Sequence, residues 1–105
     1  MAGGLHGVIR LYKNDASLSD LKNAFESEGP AAMRTFFGLS RYTVVKLTDG
    51  RVGTFGSFDT QQNARKSSEE AKKVRATSGS QIGRLLTSEP QVIEVTVVGA
   101  YTAQR

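Results

Sequence analysis

The sequence predicts an α+β fold in which one four-stranded antiparallel sheet carries its helices on a single face. Segments of alternating apolar and polar residues, typical of strands, lie near both ends and in the middle of the 105-residue chain. Two stretches between them have apolar residues at helical spacing. An Asp-Gly pair between the two central segments indicates a hairpin. The predicted element order is therefore β-α-β-β-α-β.

The first strand is predicted in "LHGVIRLY" and the first helix in "NDASLSDLKNAFESEG". The strand is expected to turn Leu5, Ile9 and Leu11 toward the helices. Ser17 is the predicted N-cap of the helix, because its hydroxyl can accept a hydrogen bond from a free amide of the first turn. Gly29-Pro30 is expected to interrupt the helix, and "AAMRTFFG" to add a short second piece.

The central hairpin is predicted in "RYTVVKLTDGRVGTFGSF", with Asp49 and Gly50 as the two middle residues of a type I′ turn. That register pairs the following residues on the face toward the helices: Leu47 with Val52, Val45 with Thr54, Thr43 with Gly56, and Arg41 with Phe58. The opposite face then holds Tyr42, Val44, Lys46, Gly53, Phe55 and Ser57.

Two glycines inside the second hairpin strand need an explanation, because glycine gives up side-chain packing there. Gly56 is expected to face small residues of the second helix, which indicates either close packing or a pocket between sheet and helix. Gly53 lies on the other predicted face, where a close approach across a dimer is the expected reason.

The second long helix is predicted from Thr60 onward, and Pro90 precedes a fourth strand in "QVIEVTVVGA". One side of this helix carries Ala64, Ser67, Ser68, Ala71 and Val74. An apolar cluster of Ile82, Leu85 and Leu86 follows it. With short links throughout, the order corresponds to a ferredoxin-like, or split β-α-β, plan in a single domain over residues 1–105.

The sheet face away from the helices is expected to be apolar, with Val8, Tyr12, Tyr42, Val44 and Phe55 among its residues. Such a face is too large to stay in water on a monomer. Two sheets that pack face to face across a two-fold axis would cover it. The predicted partner is therefore a second copy of the chain, in a homodimer.

Composition argues against several other partners. The net charge of +4 permits attraction to nucleic acid, but "ARKSSEEAKKVR" alternates its charges and contains no aromatic residue, so no specific nucleic-acid binding is predicted. No apolar run reaches the roughly 18 residues of a membrane span, and the first residues lack the pattern of a signal peptide. The chain contains no cysteine, which fits a cytoplasmic location.

Motifs for catalysis, metal binding and cofactor binding are weak. His6 is the only histidine and lies near the chain terminus, so neither a catalytic role nor a metal site is predicted. "GTFGSF" lacks the Lys and Ser or Thr that complete a phosphate-binding loop. No cofactor is therefore predicted.

Three runs, "VIRLYKND", "YTVVKLTDGRVGTFGSFDTQQNARKSSEEAKKVR" and "PQVIEVTVVG", resemble the small dimeric α/β-barrel proteins of the antibiotic biosynthesis monooxygenase-like superfamily. The resemblance covers nearly the whole chain. It implies two ferredoxin-like subunits packed sheet to sheet, with a ligand cavity between each sheet and its helices. Activities in that superfamily include cofactor-independent oxygenation of polycyclic anthrone-like compounds and oxidative heme breakdown.

Residues of the known branches are not matched. The heme-degrading branch has an Asn on the first strand, a Trp near the end of the third and a His on the second helix. Here the first two positions correspond to Ile9 and Phe58, and the helix contains no histidine. The polyketide-oxygenating branch also uses Trp, which this chain lacks. Heme degradation is therefore not expected, and no catalytic residue is predicted.

The functional prediction is a small aromatic or partly anionic molecule bound between the sheet and the helices. The predicted ligand contacts are Arg41, Thr43, Thr54, Phe58 and Ser68. The alternative is a cofactor-independent monooxygenase-like enzyme that acts on an aromatic or enolisable substrate.

Overall fold

The computed structural model describes residues 6–13, 17–77, 79–86 and 88–103, which leaves Leu5 outside the described residues. Its elements are β1 His6–Tyr12, α1 Leu18–Met33, β2 Leu39–Lys46, β3 Val52–Phe58, α2 Gln61–Ala76, α3 Gln81–Leu85 and β4 Gln91–Thr96. The strands form one antiparallel sheet in the order β2-β3-β1-β4. The predicted ferredoxin-like fold class is confirmed, with a short helix α3 added before the last strand.

Side-chain caps begin both long helices. Ser17 accepts a hydrogen bond from the amide of Asp20 at 3.0 Å, as predicted, and Thr60 accepts one from the amide of Asn63 at 3.0 Å. The predicted break at Gly29-Pro30 is wrong, because α1 continues through both residues to Met33. Pro30 has no N–H to donate to the preceding turn, but the helix ends only a few residues later, so the proline weakens its last turn without ending it.

The turn between β2 and β3 differs from the predicted two-residue turn. The amide of Leu47 donates to the carbonyl of Arg51 at 2.8 Å, and the amide of Gly50 donates to the carbonyl of Leu47 at 2.9 Å. Residues 48–50 therefore form a three-residue loop. Gly50 closes it with a φ of 94°, in the left-handed region that glycine adopts without strain.

This longer loop shifts the β2 register by one residue. Tyr42 lies opposite Gly56 and Val44 opposite Thr54. Because side chains alternate along a strand, a shift of one residue moves every β2 side chain to the other face. The predicted placement of β2 is therefore wrong: Tyr42 and Val44 face the helices, while Arg41, Thr43 and Val45 lie on the open face of the sheet.

The predicted faces of β1 are reversed as well. Val8 pairs with Gly56 and Tyr12 with Val52, whereas Ile9 pairs with Phe55. Val8 and Tyr12 are buried beneath the helices, at 0% and 2% exposure. The predicted faces of β3 are correct. The core consists of two clusters of buried residues: Tyr12, Leu21, Ala24, Val52, Ile82 and Leu86 in one, and Val8, Phe36, Phe58, Ala64 and Ala71 in the other.

The two strand glycines make room for neighbouring side chains of the same chain. A Cβ added at Gly56 would lie 3.0 Å from the Phe58 ring and 3.4 Å from a methyl group of Leu39. A Cβ added at Gly53 would lie 3.2 to 3.3 Å from side-chain atoms of Leu47, Val45 and Leu11. Close packing therefore explains Gly56, and the space above Gly53 is already occupied within the chain.

The open face of the sheet is apolar, although its residues differ from the predicted set. It carries Ile9, Leu11, Val45, Phe55, Ile93 and Val95. Val45 is 50% exposed and Ile93 is 37% exposed. No helix of the described residues covers this face, since both long helices pack on the other side, against Val8, Tyr12 and Val52.

Candidate functional site

A buried arginine lies between the sheet and α2. Arg10 on β1 is 1% exposed, and its Nη2 donates to the hydroxyls of Ser67 at 2.5 Å and Ser68 at 3.3 Å. The Ser67 hydroxyl in turn donates to the carbonyl of Ala64 at 2.6 Å. The buried Nε of Arg10 has no hydrogen-bond partner. Neutral hydroxyls therefore provide the contacts of this guanidinium.

No carboxylate of the described residues forms an ion pair with Arg10. The ion pairs among them join Arg51 to Asp49, Arg65 to Glu94 and Lys73 to Glu70. Burial lowers the pKa of Arg10, the phenols of Tyr12 and Tyr42 act in the opposite direction, and the charge of Arg75 lowers it further. Because arginine stays protonated, the protein holds a buried positive charge with a second one nearby.

Two tyrosines stand beside these arginines. Nη1 of Arg75 on α2 donates to the Tyr12 hydroxyl at 3.0 Å, and the Arg75 guanidinium carbon lies 5.4 Å from the Tyr12 ring centroid. Burial raises the pKa of Tyr42, although the hydroxyl of Thr54 lowers it in part. Tyr42 is therefore protonated at neutral pH and can donate a hydrogen bond.

Tyr12, Tyr42 and Arg75 are the polar residues among those that line a cavity between the sheet and the helices. The remaining lining is apolar: Phe25, Gly29, Ala32, Met33, Phe36, Ala71, Val74, Ile82 and Leu86. The free volume is about 30 Å³. An engineered cavity that binds benzene measures roughly 150 Å³, so a ring-sized ligand requires the walls to move.

Gly29 lies on the α1 wall of this cavity. A Cβ added there would meet no atom within 4 Å. Gly29→Ala is expected to raise the free energy of unfolding by about 0.5 to 1 kcal/mol, because alanine loses less backbone entropy in a helix and its methyl group enters free space. Urea denaturation measures the change.

Gly83→Ala on α3 is the control for Gly29→Ala, and the opposite effect on stability is expected. A Cβ there would overlap the carbonyl oxygen of Arg75, so the change should lower stability by about 1 to 3 kcal/mol. A destabilising Gly29→Ala substitution would contradict the free space at the α1 wall.

Glu28 on α1 binds the first residues of α3. Helix α3 contributes Ile82 to the lining of the cavity. Its carboxylate accepts from the Ser80 hydroxyl at 2.8 Å and from the amides of Gln81 at 2.6 Å and Ile82 at 3.3 Å. Slight desolvation raises the pKa of Glu28, but these hydrogen bonds and the charge of Arg84 outweigh it and hold that pKa below its ordinary value. The α1–α3 contact therefore uses an ionised carboxylate.

The five predicted ligand contacts do not form one site. Thr54 and Phe58 face the helices and are buried, at 2% and 1% exposure. Ser68 lies on α2 beside Arg10. The placement of Arg41 and Thr43 with them is wrong, because the register puts both on the open face.

Sequence reasoning missed the polar residues that the fold does bring together, namely Arg10, Tyr12, Tyr42 and Arg75. One signal was present. Arg10 lies in the same strand phase as the apolar residues Val8 and Tyr12, so burial of that phase would bury its charge as well.

In the parts of the chain that the structure describes, no three His, Cys, Asp or Glu residues come together as metal ligands. None of the helices described combines the length and the apolar character that crossing a bilayer requires.

No family model matches the chain, and no curated protein matches it in sequence. Solved structures do match it. A monooxygenase of Streptomyces coelicolor, solved with the ligand nanaomycin D, is 17% identical with a TM-score of 0.66 over 97% of this chain and 94% of that one. A candidate antibiotic biosynthesis monooxygenase of Bordetella bronchiseptica is 17% identical, with a TM-score of 0.65, and the match covers 90% of this chain and 98% of that one. A dimeric ferredoxin-like protein from an uncultured marine organism is 14% identical, with a TM-score of 0.59, and the match covers 95% of this chain and 94% of that one.

Proposed function

We propose that this chain, which has the fold of the antibiotic biosynthesis monooxygenase-like proteins, binds a flat, partly anionic aromatic molecule in the cavity between its sheet and its helices. The observation that carries this proposal is the composition of the cavity. Most of its lining residues are apolar, and three polar ones, Tyr12, Tyr42 and Arg75, lie among them, with Arg75 hydrogen-bonded to the Tyr12 hydroxyl. Apolar pockets with a few convergent polar groups are typical of small-molecule sites.

Each part of such a ligand has a counterpart in the cavity. Phe36 and Tyr42 stack with ring centroids 6.0 Å apart and form an aromatic wall for a planar ring. Arg75 would pair with an anionic or enolate-like oxygen, and a charge-assisted hydrogen bond of this kind is stronger than a neutral one. The Tyr42 hydroxyl would donate to a second oxygen of the ligand.

The space for the ligand would come from the last turn of α1. Gly29, Ala32 and Met33 of that turn line the cavity. Pro30 lacks an N–H and removes one hydrogen bond from the turn, so moving it outward breaks fewer interactions than elsewhere in the helix. Met33 is an unbranched side chain that can change rotamer around a ligand.

We also infer that two copies of the chain pair through their open sheet faces. The apolar residues of that face, Ile9, Phe55 and Ile93 among them, support this assembly, as does the dimeric state of a similar ferredoxin-like protein. A cytoplasmic location, the absence of a cofactor and the absence of specific nucleic-acid binding remain predictions from the sequence.

The second candidate function is cofactor-independent oxygenation in the same cavity. The likeness to a Streptomyces monooxygenase over 97% of the chain favours it. The overall reaction would convert a ring CH₂ group and O₂ into a ring carbonyl and water, with Arg75 stabilising the enolate oxygen. However, the cavity lining contains no carboxylate or imidazole among the described residues, so no side chain there is suited to remove the proton. We therefore place binding first.

Thermal denaturation with a hydroxylated anthraquinone tests the binding proposal. A ligand that binds only the native state raises the Tm, and the wild type should show this rise. Arg75→Gln should raise the Kd about ten- to a hundredfold, which is the effect of losing a charged hydrogen bond. Gly29→Leu should abolish binding by filling the cavity.

Arg34→Gln is the matched control, because Arg34 is exposed and does not line the cavity. Its Kd should equal that of the wild type. Equal affinity of the wild type and Gly29→Leu would contradict the proposed site. Oxygen uptake with the same compound, measured by an electrode, separates the enzyme from the binding protein.

A further inference from the structure

A second cavity, the cationic cleft, opens between α2 and the edge of the sheet at β4, with a volume of about 260 Å³. Its lining consists of Arg10, Arg65, Ser68, Glu69, Lys72, Arg75, Glu89, Pro90 and Val92. At roughly 30 Å³ per water molecule, the cleft has room for a phosphate-sized group with further atoms attached. Unlike the apolar cavity, it is lined mostly by charged residues.

Positive charge exceeds negative charge in the cationic cleft. Four cationic side chains and two carboxylates line it, and both carboxylates belong to exposed residues. One of the cations, Arg65, is paired with Glu94 at 3.1 Å. The hydrogen bond that the Arg75 guanidinium forms within the described residues goes to the hydroxyl of Tyr12. Arg10 and Arg75 thus bring two charges together with no carboxylate paired to either in the described residues.

Arg10 marks the inner end of the cleft, because it is 1% exposed while Lys72 is exposed at the rim. A buried charge destabilises a protein by several kcal/mol unless an opposite charge and hydrogen bonds offset that cost. Ser67 and Ser68 supply hydrogen bonds to Nη2, but Nε has none. An anion in the cleft would supply both the opposite charge and further acceptors.

We propose that the cationic cleft binds a phosphate or sulfate group, with Arg10 at its inner end, Ser68 beside it and Lys72 at the rim. Arginine and phosphate are suited to each other because the planar guanidinium presents several donors to the anion oxygens. This site is separate from the apolar cavity and does not rest on the proposed aromatic ligand. The two sites share only Arg75 in their linings, so Arg75 is left unchanged in the test.

Calorimetric titration with inorganic phosphate, at neutral pH and at an ionic strength held constant with chloride, tests the proposal. The wild type should bind phosphate saturably. Arg10→Met should raise the Kd for phosphate at least about tenfold, because it removes a buried charge-assisted contact. Lys72→Met should raise that Kd roughly two- to fivefold, the range of an exposed ion pair.

Lys66→Met is the matched control, because Lys66 is exposed on α2 and does not line the cleft. Its Kd should equal that of the wild type. Without phosphate, Arg10→Met should have a Tm equal to or above that of the wild type, since an uncompensated buried charge has been replaced by an apolar group. If Arg10→Met fails to fold, the difference between Lys72→Met and Lys66→Met still decides the question.

Two results would overturn the site: a wild type that shows no saturable binding of phosphate, or equal Kd values for the wild type, Lys72→Met and Lys66→Met. Neither result bears on the apolar cavity. Anthraquinone binding is tested through Gly29→Leu, so failure of one proposal can be told from failure of the other.

Discussion

Ile9→Glu is expected to convert a homodimer into a folded monomer. Ile9 lies at the centre of the open face, with Phe55 and Ile93 as its cross-strand neighbours. In a sheet-to-sheet dimer the new carboxylate would be buried without a partner, which costs several kcal/mol. In the monomer Ile9 is only half-buried, so the carboxylate can reach water and the fold can survive. Sedimentation equilibrium measures the mass, and circular dichroism measures the secondary structure.

Gln62→Glu serves as the control for Ile9→Glu. Gln62 is exposed on α2, so the same charge there should leave the dimer intact. A wild-type protein that sediments as a monomer at micromolar concentration would contradict the assembly, as would an Ile9→Glu variant that remains a dimer.

Val8→Asp is expected to unfold the protein. Val8 is adjacent to Ile9 in the chain but is 0% exposed, packed beneath the helices in the cluster that contains Phe36 and Phe58. An unpaired carboxylate at this position should lower the free energy of unfolding by about 3 to 5 kcal/mol. That loss is comparable to the whole stability of a small domain, roughly 5 kcal/mol at the lower end. Guanidinium denaturation followed by circular dichroism measures it.

Together, Val8→Asp and Ile9→Glu test which face of β1 packs against the helices. If the faces were reversed, Ile9→Glu would unfold the protein and Val8→Asp would only dissociate it. A folded, monomeric Val8→Asp variant would therefore contradict the observed sheet.

The element order could be predicted from the sequence because it depends on local patterns. The cap at Ser17 and the helix from Thr60 onward depend on residues within one turn of each other. Local pattern does not decide the faces of β1, because "VIRLY" carries apolar residues in both phases of the strand. The faces of β2 depended on whether the turn holds two residues or three, a difference that shifts every side chain.

The candidate site was harder to predict than the fold because its residues come from separate elements. Tyr42 reaches the cavity only in the observed β2 register, and Arg75 only through the packing of α2 on the sheet. The two-residue turn predicted from the sequence places Arg41 on the face toward the helices, whereas the observed register places it on the open face. Thr54 and Phe58 were placed on the correct face because the β3 assignment was correct.

A crystal structure of the protein soaked with the hydroxylated anthraquinone would show whether the cavity between sheet and helices is the binding site. We predict that the compound lies between α1 and the sheet, with an oxygen paired to Arg75 and its ring against Tyr42. The last turn of α1 would move outward to admit it. A compound bound with full occupancy at the open sheet face or at a helix surface, with the cavity unchanged, would contradict the account.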